Sequence, residues 1–337
     1  MKIKYLIKGI FKSIPGIEYI YKFHKETGGT NNARYCYSVW LRHLIHANAN
    51  GMDSIPERIA ELGPGDSLGI GLSALISGSE YYFALDIVKY CNAEFNLKIF
   101  EELVVLFRNK EAIPDDSEFP NIKPTIKNHC FPDYIFSDSH LKKMLDENRL
   151  LRIRNSIIAL DKPDATSSVD MVTYKAPWNN TIVNDIEPVD MIISQAVLQH
   201  IDDLTTTYEL MYKWLKPSGF MSHAIDFKCM GSSDNWYGHW TYSDIEWKII
   251  RGRKKYFINR EPFSTHIKLL INNKFKVISD IKTVSKNIIE RKKLATRFKE
   301  MSTEDISISG VFIQATRKVL IFCGVISSQI SEYLLLV

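Results

Sequence analysis

The chain is poor in the residues that build covalent or metal frameworks. Its five cysteines (Cys36, Cys91, Cys130, Cys229, Cys323) are odd in number, widely spaced and without a Cys-x-x-Cys pair. Neither a disulfide scaffold nor a zinc site is indicated, and a reducing cytoplasm is the simplest location. The nine histidines contain no His-Glu-x-x-His sequence, so no metal ligands are assigned. Charge of one sign is scarce as well. The formal net charge is +4, yet residues 1–25 carry six lysines against Glu18, a net of +5, and the rest is close to neutral. Without a basic footprint, and with the run Arg251 to Lys255 read as solvated surface, nucleic acid is not an expected partner. Long apolar runs are missing too. The tail, residues 319–337, is interrupted by Gly324, Ser327, Ser328, Gln329 and Glu332, which argues against a spanning helix and leaves a surface-lying segment open.

What is present is enough apolar residue, 45% of 337, to bury a full core. The expected organisation is a helical extension (1–50), one large domain (51–318) with a helical insertion (91–168) and an aromatic loop (228–260), then the tail. Residues 2–13 place Ile3, Leu6, Ile7, Ile10 and Phe11 on one helical face and Lys4, Lys8 and Lys12 on another, before a stop at Pro15-Gly16. Lysines interrupt the apolar run, so it is not a signal peptide. Two readings stay open. The apolar face packs on the domain, or residues 1–14 make a peripheral contact with the inner face of a membrane.

The chain is organised around residues 58–90. A short apolar strand (Arg58 to Leu62) precedes a glycine-rich turn (Gly63 to Ser67), a small-residue helix (Leu68 to Ile76) and a second apolar strand closed by Asp86. Gly63 and Gly65 let the backbone turn sharply and approach a ligand. Asp86, about twenty residues on, suits a carboxylate accepting from ribose hydroxyls. A dinucleotide site wants Gly-x-Gly-x-x-Gly, but the sixth position from Gly63 is Leu68, which weakens a nicotinamide reading.

At Glu61-Leu62-Gly63-Pro64-Gly65-Asp66-Ser67 the sequence resembles the class I S-adenosylmethionine-dependent methyltransferases, although Ser67 stands where a third glycine is frequent. The resemblance implies a Rossmann-like α/β fold with a mostly parallel seven-stranded sheet, an antiparallel last strand and, here, a helical insertion after the second strand. It implies S-adenosylmethionine as cofactor, with Gly63, Gly65, Asp66 and Ser67 near its methionine part, Glu61 orienting it and Asp86 on the ribose. Val189 to Asp203 resembles the family's fourth motif, an Asp-led apolar strand and a turn ending in a histidine, adding Ser194 and Gln195 to the cofactor set. The matching order runs from Ile59 to Phe227, about half of the chain, and looks most like bacterial methyltransferases of surface-polysaccharide assembly.

The third strand is expected to end at Tyr174-Lys175-Ala176-Pro177-Trp178, where Trp178 either stacks on a ligand or fills core. The insertion is expected to hold helices over Ala93 to Arg108 and Ser137 to Leu151, joined by a proline-broken loop, that either cover the substrate side or are a purely structural embellishment. Trp236, Trp240 and Tyr242, in a glycine-containing loop after the fifth strand, either stack on a sugar or other flat apolar ring face or form a small hydrophobic satellite core. A helix over Pro262 to Asn273, a strand over Phe275 to Ile281, a basic helix over Lys286 to Lys299 and a strand over Ile306 to Thr316 complete the pattern. The expected activity is methylation of an oxygen, in a small-molecule or glycan acceptor. Proton removal falls to His200 first and His239 second, with Asp226 as an orienting acid. A nicotinamide oxidoreductase and a non-catalytic scaffold are the rival readings.

Overall fold

The computed structural model describes residues 2–13, 29–90, 92–161, 171–178, 187–254 and 256–317. The stop at Pro15-Gly16 and the tail at 319–337 lie outside them. Seven strands form one sheet: β1 (Arg58–Leu62), β2 (Tyr81–Leu85), β3 (Val172–Lys175), β4 (Val189–Gln195), β5 (Leu215–Asp226), β6 (Phe275–Val284) and β7 (Ile308–Arg317). Their order is β3-β2-β1-β4-β5-β7-β6, with β7 antiparallel to both its neighbours and the remaining pairs parallel. This is the expected Rossmann-like, mostly parallel sheet.

The strands are apolar on both faces because helices cover both. Ile59, Tyr82, Met191 and Ile193 alternate onto one face and pack with Trp40, Leu72 and Phe100, from α2 (Ala33–Ala49), α3 (Gly69–Ser77) and α4 (Ala93–Arg108). Ala60, Leu62, Phe83 and Ile192 alternate onto the other and pack with Tyr208, Trp214 and Leu270, from α7 (Leu204–Trp214) and α9 (Phe263–Asn272). The register then sets the site. Leu62 pairs with both Leu85 and Ser194, and Gln195 with Ala224, so β1, β2, β4 and β5 end at one edge.

Several local expectations change. The helix expected over Ser137 to Leu151 is two, α5 (Asp138–Met144) and α6 (Glu147–Ala159), because the Asp146 side chain accepts from Asn148 N–H and starts a new helix. The basic helix expected over Lys286 to Lys299 is two short 3₁₀ turns, Arg291–Lys293 and Thr296–Phe298. There Arg291 bonds the carbonyls of Lys299 and Met301, and Ile289, Leu294 and Phe298 are buried at a spacing an α-helical face would not match. The fifth strand starts at Leu215, and Lys216 to Gly219 bulge out where the register against β4 shifts. The insertion's helices pack in the layer around α3 and do not roof the sheet edge; its proline-rich loop reaches that edge instead. Arg42, 1% exposed on α2, anchors this loop through the carbonyls of Pro114 (2.7 Å) and Pro124 (2.8 Å).

Under the glycine turn lies a buried acid. Glu61, 1% exposed, accepts a bond from the Tyr82 hydroxyl, and Tyr82 reaches it because Gly71 leaves room: a Cβ there would sit 2.0 Å from the phenol ring. Burial pushes the Glu61 carboxyl up to about 8 from its ordinary 4.5. The folded protein thus holds this proton more tightly than the unfolded chain, so stability is full below about pH 4.5 and falls as pH rises toward about 8. Glu61→Gln keeps an acceptor for Tyr82 without a titrating group. Its melting temperature is expected to decline less between pH 5 and 8 than that of the wild type, and parallel profiles in thermal melts would refute the assignment.

Candidate active site

Two clefts, each of about 510 Å³, open at the carboxyl edge of the strands. The first lies over β1 and β2 and is lined by Gly63, Gly65, Asp66, Asp86, Ile87, Tyr90, Trp178, Val197, His200 and Tyr256, among others. The second lies over β4 and β5, between Tyr35, the loop Phe119 to Lys123, Gln195, Ala196, Asp226 and Lys228.

The glycine turn lines the first of them. Gly63 and Gly65 have φ of 65° and 77°, a region that disfavours other residues. A Cβ on Gly63 would lie 2.7 Å from Val197, and one on Gly65 would lie 3.1 Å from the Thr30 hydroxyl. Ala196 also has a left-handed φ, 56°, where β4 ends. That turn puts Ala196 on the second cleft and Val197 on the first. Such strain in a non-glycine residue at a strand end marks a site whose geometry the fold enforces.

Thr30, just before α2, closes the turn from outside. Its hydroxyl accepts from the N–H groups of Asp66 (3.0 Å) and Ser67 (3.3 Å), and its carbonyl accepts from the Ser67 hydroxyl. The next N–H groups are taken as well. Leu68 N–H donates to Asn96 Oδ1 at 2.7 Å, and Gly69 N–H to Ser67 Oγ at 3.1 Å. The amides from Asp66 to Gly69 are therefore satisfied within the protein. Asp86 completes the first cleft at 5% exposure, its Oδ1 accepting from Ile87 N–H (2.7 Å) and its Oδ2 from Gly65 N–H (3.4 Å).

The remaining candidates divide. Gly63, Gly65, Asp66, Asp86, Trp178 and His200 line the first cleft, and Gln195 and Asp226 the second. Glu61 lines neither, being held beneath α3 by Tyr82. Ser67 and Ser194 are each 1% exposed, the first tied to Thr30 and the second to His223 Nδ1 at 2.8 Å. They hold the backbone and are not positioned to touch a ligand. The aromatic loop does not form the expected stacking platform. Trp240 is fully buried and donates to the Arg260 carbonyl, and Tyr242, 2% exposed, donates to the Ser232 carbonyl. Trp236 is half-buried, donates to the Asn287 carbonyl and lines neither cleft. His239, 1% exposed, packs against Trp240, with burial lowering it to about 3. The three proposed catalytic groups thus lie apart: His200 at the first cleft, Asp226 at the second, His239 inside the core.

Residues passed over in the sequence build much of the site. Thr30 and Asn96 fill the turn, and Tyr35 and Phe119, ring centroids 5.5 Å apart at 79°, form an aromatic wall of the second cleft. A Gly-Thr-Asn-Asn stretch before a helical pattern is a capping signal, and Asn32 does cap α2. Nothing local shows that its neighbour Thr30 reaches a turn more than thirty residues away.

No family model matches the chain, and no curated protein matches it. Solved structures similar to it include an S-adenosylmethionine dependent methyltransferase from Mesorhizobium loti, 12% identical, covering 82% of this chain and 98% of that one, with a TM-score of 0.39. Magnesium protoporphyrin IX methyltransferase from Synechocystis, with bound SAH, is 10% identical over 93% of this chain and 99% of that one, at a TM-score of 0.39. An S-adenosylmethionine-dependent methyltransferase from Clostridium acetobutylicum is 10% identical over 84% and 92%, also at 0.39. The fold assignment rests on the strand order itself.

Proposed function

We propose that the chain is an S-adenosylmethionine-dependent methyltransferase that methylates an oxygen of a polar acceptor such as a sugar. The observation carrying this reading is the state of the glycine turn. A dinucleotide needs free amides at the helix start for its pyrophosphate, and here the N–H groups of Asp66, Ser67, Leu68 and Gly69 already have partners. A nucleoside cofactor without phosphate asks only for the close approach at Gly63 and Gly65, a ribose acceptor at Asp86 and an apolar wall for the base. Ile87, Tyr90 and Trp178 supply that wall. The fit favours S-adenosylmethionine over NAD.

Bound in the first cleft, the cofactor supplies a sulfonium methyl. The chain's contribution is placement. The acceptor occupies the second cleft, its hydroxyl reaching toward the first past Ala196 and Val197, where the two clefts adjoin, and holding the reacting atoms in line lowers the barrier by several kcal/mol. As the new O–C bond forms and the C–S bond breaks, the hydroxyl proton must leave. Asp226, at the end of β5 in the second cleft, is placed to accept it. His200, facing the first cleft, is a wall of the cofactor side, and burial lowers its basicity.

Calorimetry is expected to show S-adenosylmethionine and its demethylated product binding, and NAD not binding. Asp86→Ala is expected to weaken cofactor binding roughly tenfold or more, and Gly65→Arg to abolish it, because a side chain there meets Thr30. Equal affinity in both variants, or tight NAD binding, would overturn the assignment.

Once an acceptor is in hand, single-turnover rates divide the candidates for the base. Asp226→Asn is expected to slow transfer about 100-fold with cofactor affinity intact, whereas His239→Gln is expected to change the rate little in whatever fraction folds. A fast Asp226→Asn enzyme together with a slow His200→Gln enzyme would return the role to His200.

We also propose a peripheral membrane contact. The first helix, α1 (Lys2–Ser13), packs on α8 (Asp244–Arg251) so closely that a Cβ on Gly9 would lie 2.3 Å from the Ile249 carbonyl. This contact uses Tyr5, Leu6 and Gly9 and leaves Ile3, Ile7, Ile10 and Phe11 between 48% and 69% exposed. Exposed Lys4 and Lys8 border that stripe, and a surface lysine contributes about 1 kcal/mol near an anionic leaflet. Phosphatidylserine vesicles are expected to sediment the full chain at low salt, and Ile7→Asp/Phe11→Asp to stay in solution. Equal sedimentation of both proteins would refute the contact.

A further inference from the structure

The second cleft carries two cations that its own acid does not balance. Lys123 and Lys228 both line it, as does Asp226. Lys228 Nζ lies 3.7 Å from Asp226 Oδ2, a loose pair. Lys123 Nζ has no hydrogen bond or ion pair among the described residues, although the residue is half-buried. Its backbone, by contrast, is fixed. The Lys123 carbonyl accepts from Gln195 Nε2 at 3.0 Å, and the following Pro124 carbonyl accepts from the buried Arg42. Ile122 on the other side is 5% exposed. A long flexible cation is thus mounted on rigid backbone at a cleft wall, with no partner among the described residues to neutralise it.

Aromatic surface lines the same cleft. Tyr35 and Phe119 present ring surface, and burial holds the Tyr35 phenol up to about 12, against a hydrogen bond with Gln195 that lowers it. The cleft therefore combines two lysines, a flat aromatic face and a single carboxylate, Asp226. A neutral sugar would leave Lys123 desolvated and unpaired, which is unfavourable; an anionic group on the acceptor would satisfy it.

We infer that the acceptor carries a carboxylate or phosphate, held between Lys123 and Lys228, with its ring against Tyr35 and Phe119 and a hydroxyl beside Asp226. This rests on the methyltransferase reading for the word acceptor, but not for the binding itself. Ligand-observed NMR titrations of the full chain with glucuronate, glucose 6-phosphate and glucose test it. At least one anionic probe is expected to bind tenfold or more tightly than glucose, with affinity falling as salt is raised. Which of the two binds more tightly identifies the anionic group.

Lys123→Gln and Lys228→Gln are each expected to cost about tenfold for the anion and little for glucose, while Lys123→Arg restores most of the loss. S-adenosylhomocysteine affinity, read in the same samples, should match the wild type in every variant, because neither lysine lines the first cleft. Glucose binding as tightly as both anions, or anion binding unchanged in the double glutamine variant, would overturn the inference. Lysine-dependent anion binding in a protein that fails to bind S-adenosylhomocysteine would instead uphold the anion site and overturn the methyltransferase reading.

Discussion

The Thr30 hydroxyl, seated on the amides of Asp66 and Ser67, is the contact on which the site depends. It joins the segment before α2 to the turn after β1, two parts of the chain with no local reason to meet. In doing so it fixes the turn that lines the first cleft and takes amides that would otherwise attract a phosphate. The same turn is held from the sheet side by Asp86 through Gly65 N–H and from below by the short Gly63 N–H bond to the Leu85 carbonyl, 2.7 Å. A turn restrained from three directions can keep its glycines in left-handed geometry without a ligand. The first cleft is accordingly preformed, which limits the ordering entropy that binding must overcome.

What the sequence made legible followed from short-range rules. Strand, turn, helix, strand and terminal acid between Arg58 and Asp86 read correctly because each is encoded within a few residues, by apolar runs, left-handed glycines and an acid at a strand tip. The succession of later strands along the chain followed from the same signals repeated, whereas the antiparallel last strand was legible only through the family resemblance. The candidate side chains were less legible, because their roles depend on burial. Glu61, Ser67 and Ser194 sit in a matching motif and are nonetheless inward-facing: side chains alternate along a strand, which turns Glu61 and Ser194 inward, Tyr82 draws Glu61 beneath α3, and the Thr30 carbonyl holds the Ser67 hydroxyl. The aromatic loop shows the converse problem. Trp240 and Tyr242 lie in a glycine-containing stretch that suggests an open platform, yet each indole or phenol donor finds a backbone carbonyl inside, which makes full burial of those rings affordable.

The insertion was the part least open to sequence reasoning. Its prolines indicate only that residues 114–132 avoid regular structure. That this loop forms a cleft wall depends on Arg42, whose charge would be costly to bury unless several oxygens receive it. The carbonyls of Pro114 and Pro124 and the Ser38 hydroxyl do so. Prolines lack an N–H but keep their carbonyls, so a proline-rich loop offers acceptors that no helix or sheet competes for.

Beneath the second cleft a line of buried polar groups carries this anchoring to the sheet. Asn50 donates to Gln314, Gln314 to Ser222, and Ser222 Oγ lies 2.8 Å from His43 Nδ1, whose Nε2 meets Gln195 Oε1 at 3.1 Å. The direction of the line is fixed by its ends. Gln195 Nε2 must donate to the Lys123 carbonyl, so its Oε1 accepts and His43 Nε2 carries the hydrogen. Burial lowers His43 to about 4, so near neutral pH it is uncharged and its Nδ1 can only accept, which makes Ser222 the donor. Every group then has one permitted orientation, and the last in line holds the backbone of Lys123. Protonating His43 would leave two donors facing each other only if Ser222 failed to rotate, but rotation would then point its hydrogen at Gln314, itself a donor. The network resists that proton, and the same resistance keeps the Gln195 amide, and with it the wall of the second cleft, in one position across the range where a methyl acceptor would bind.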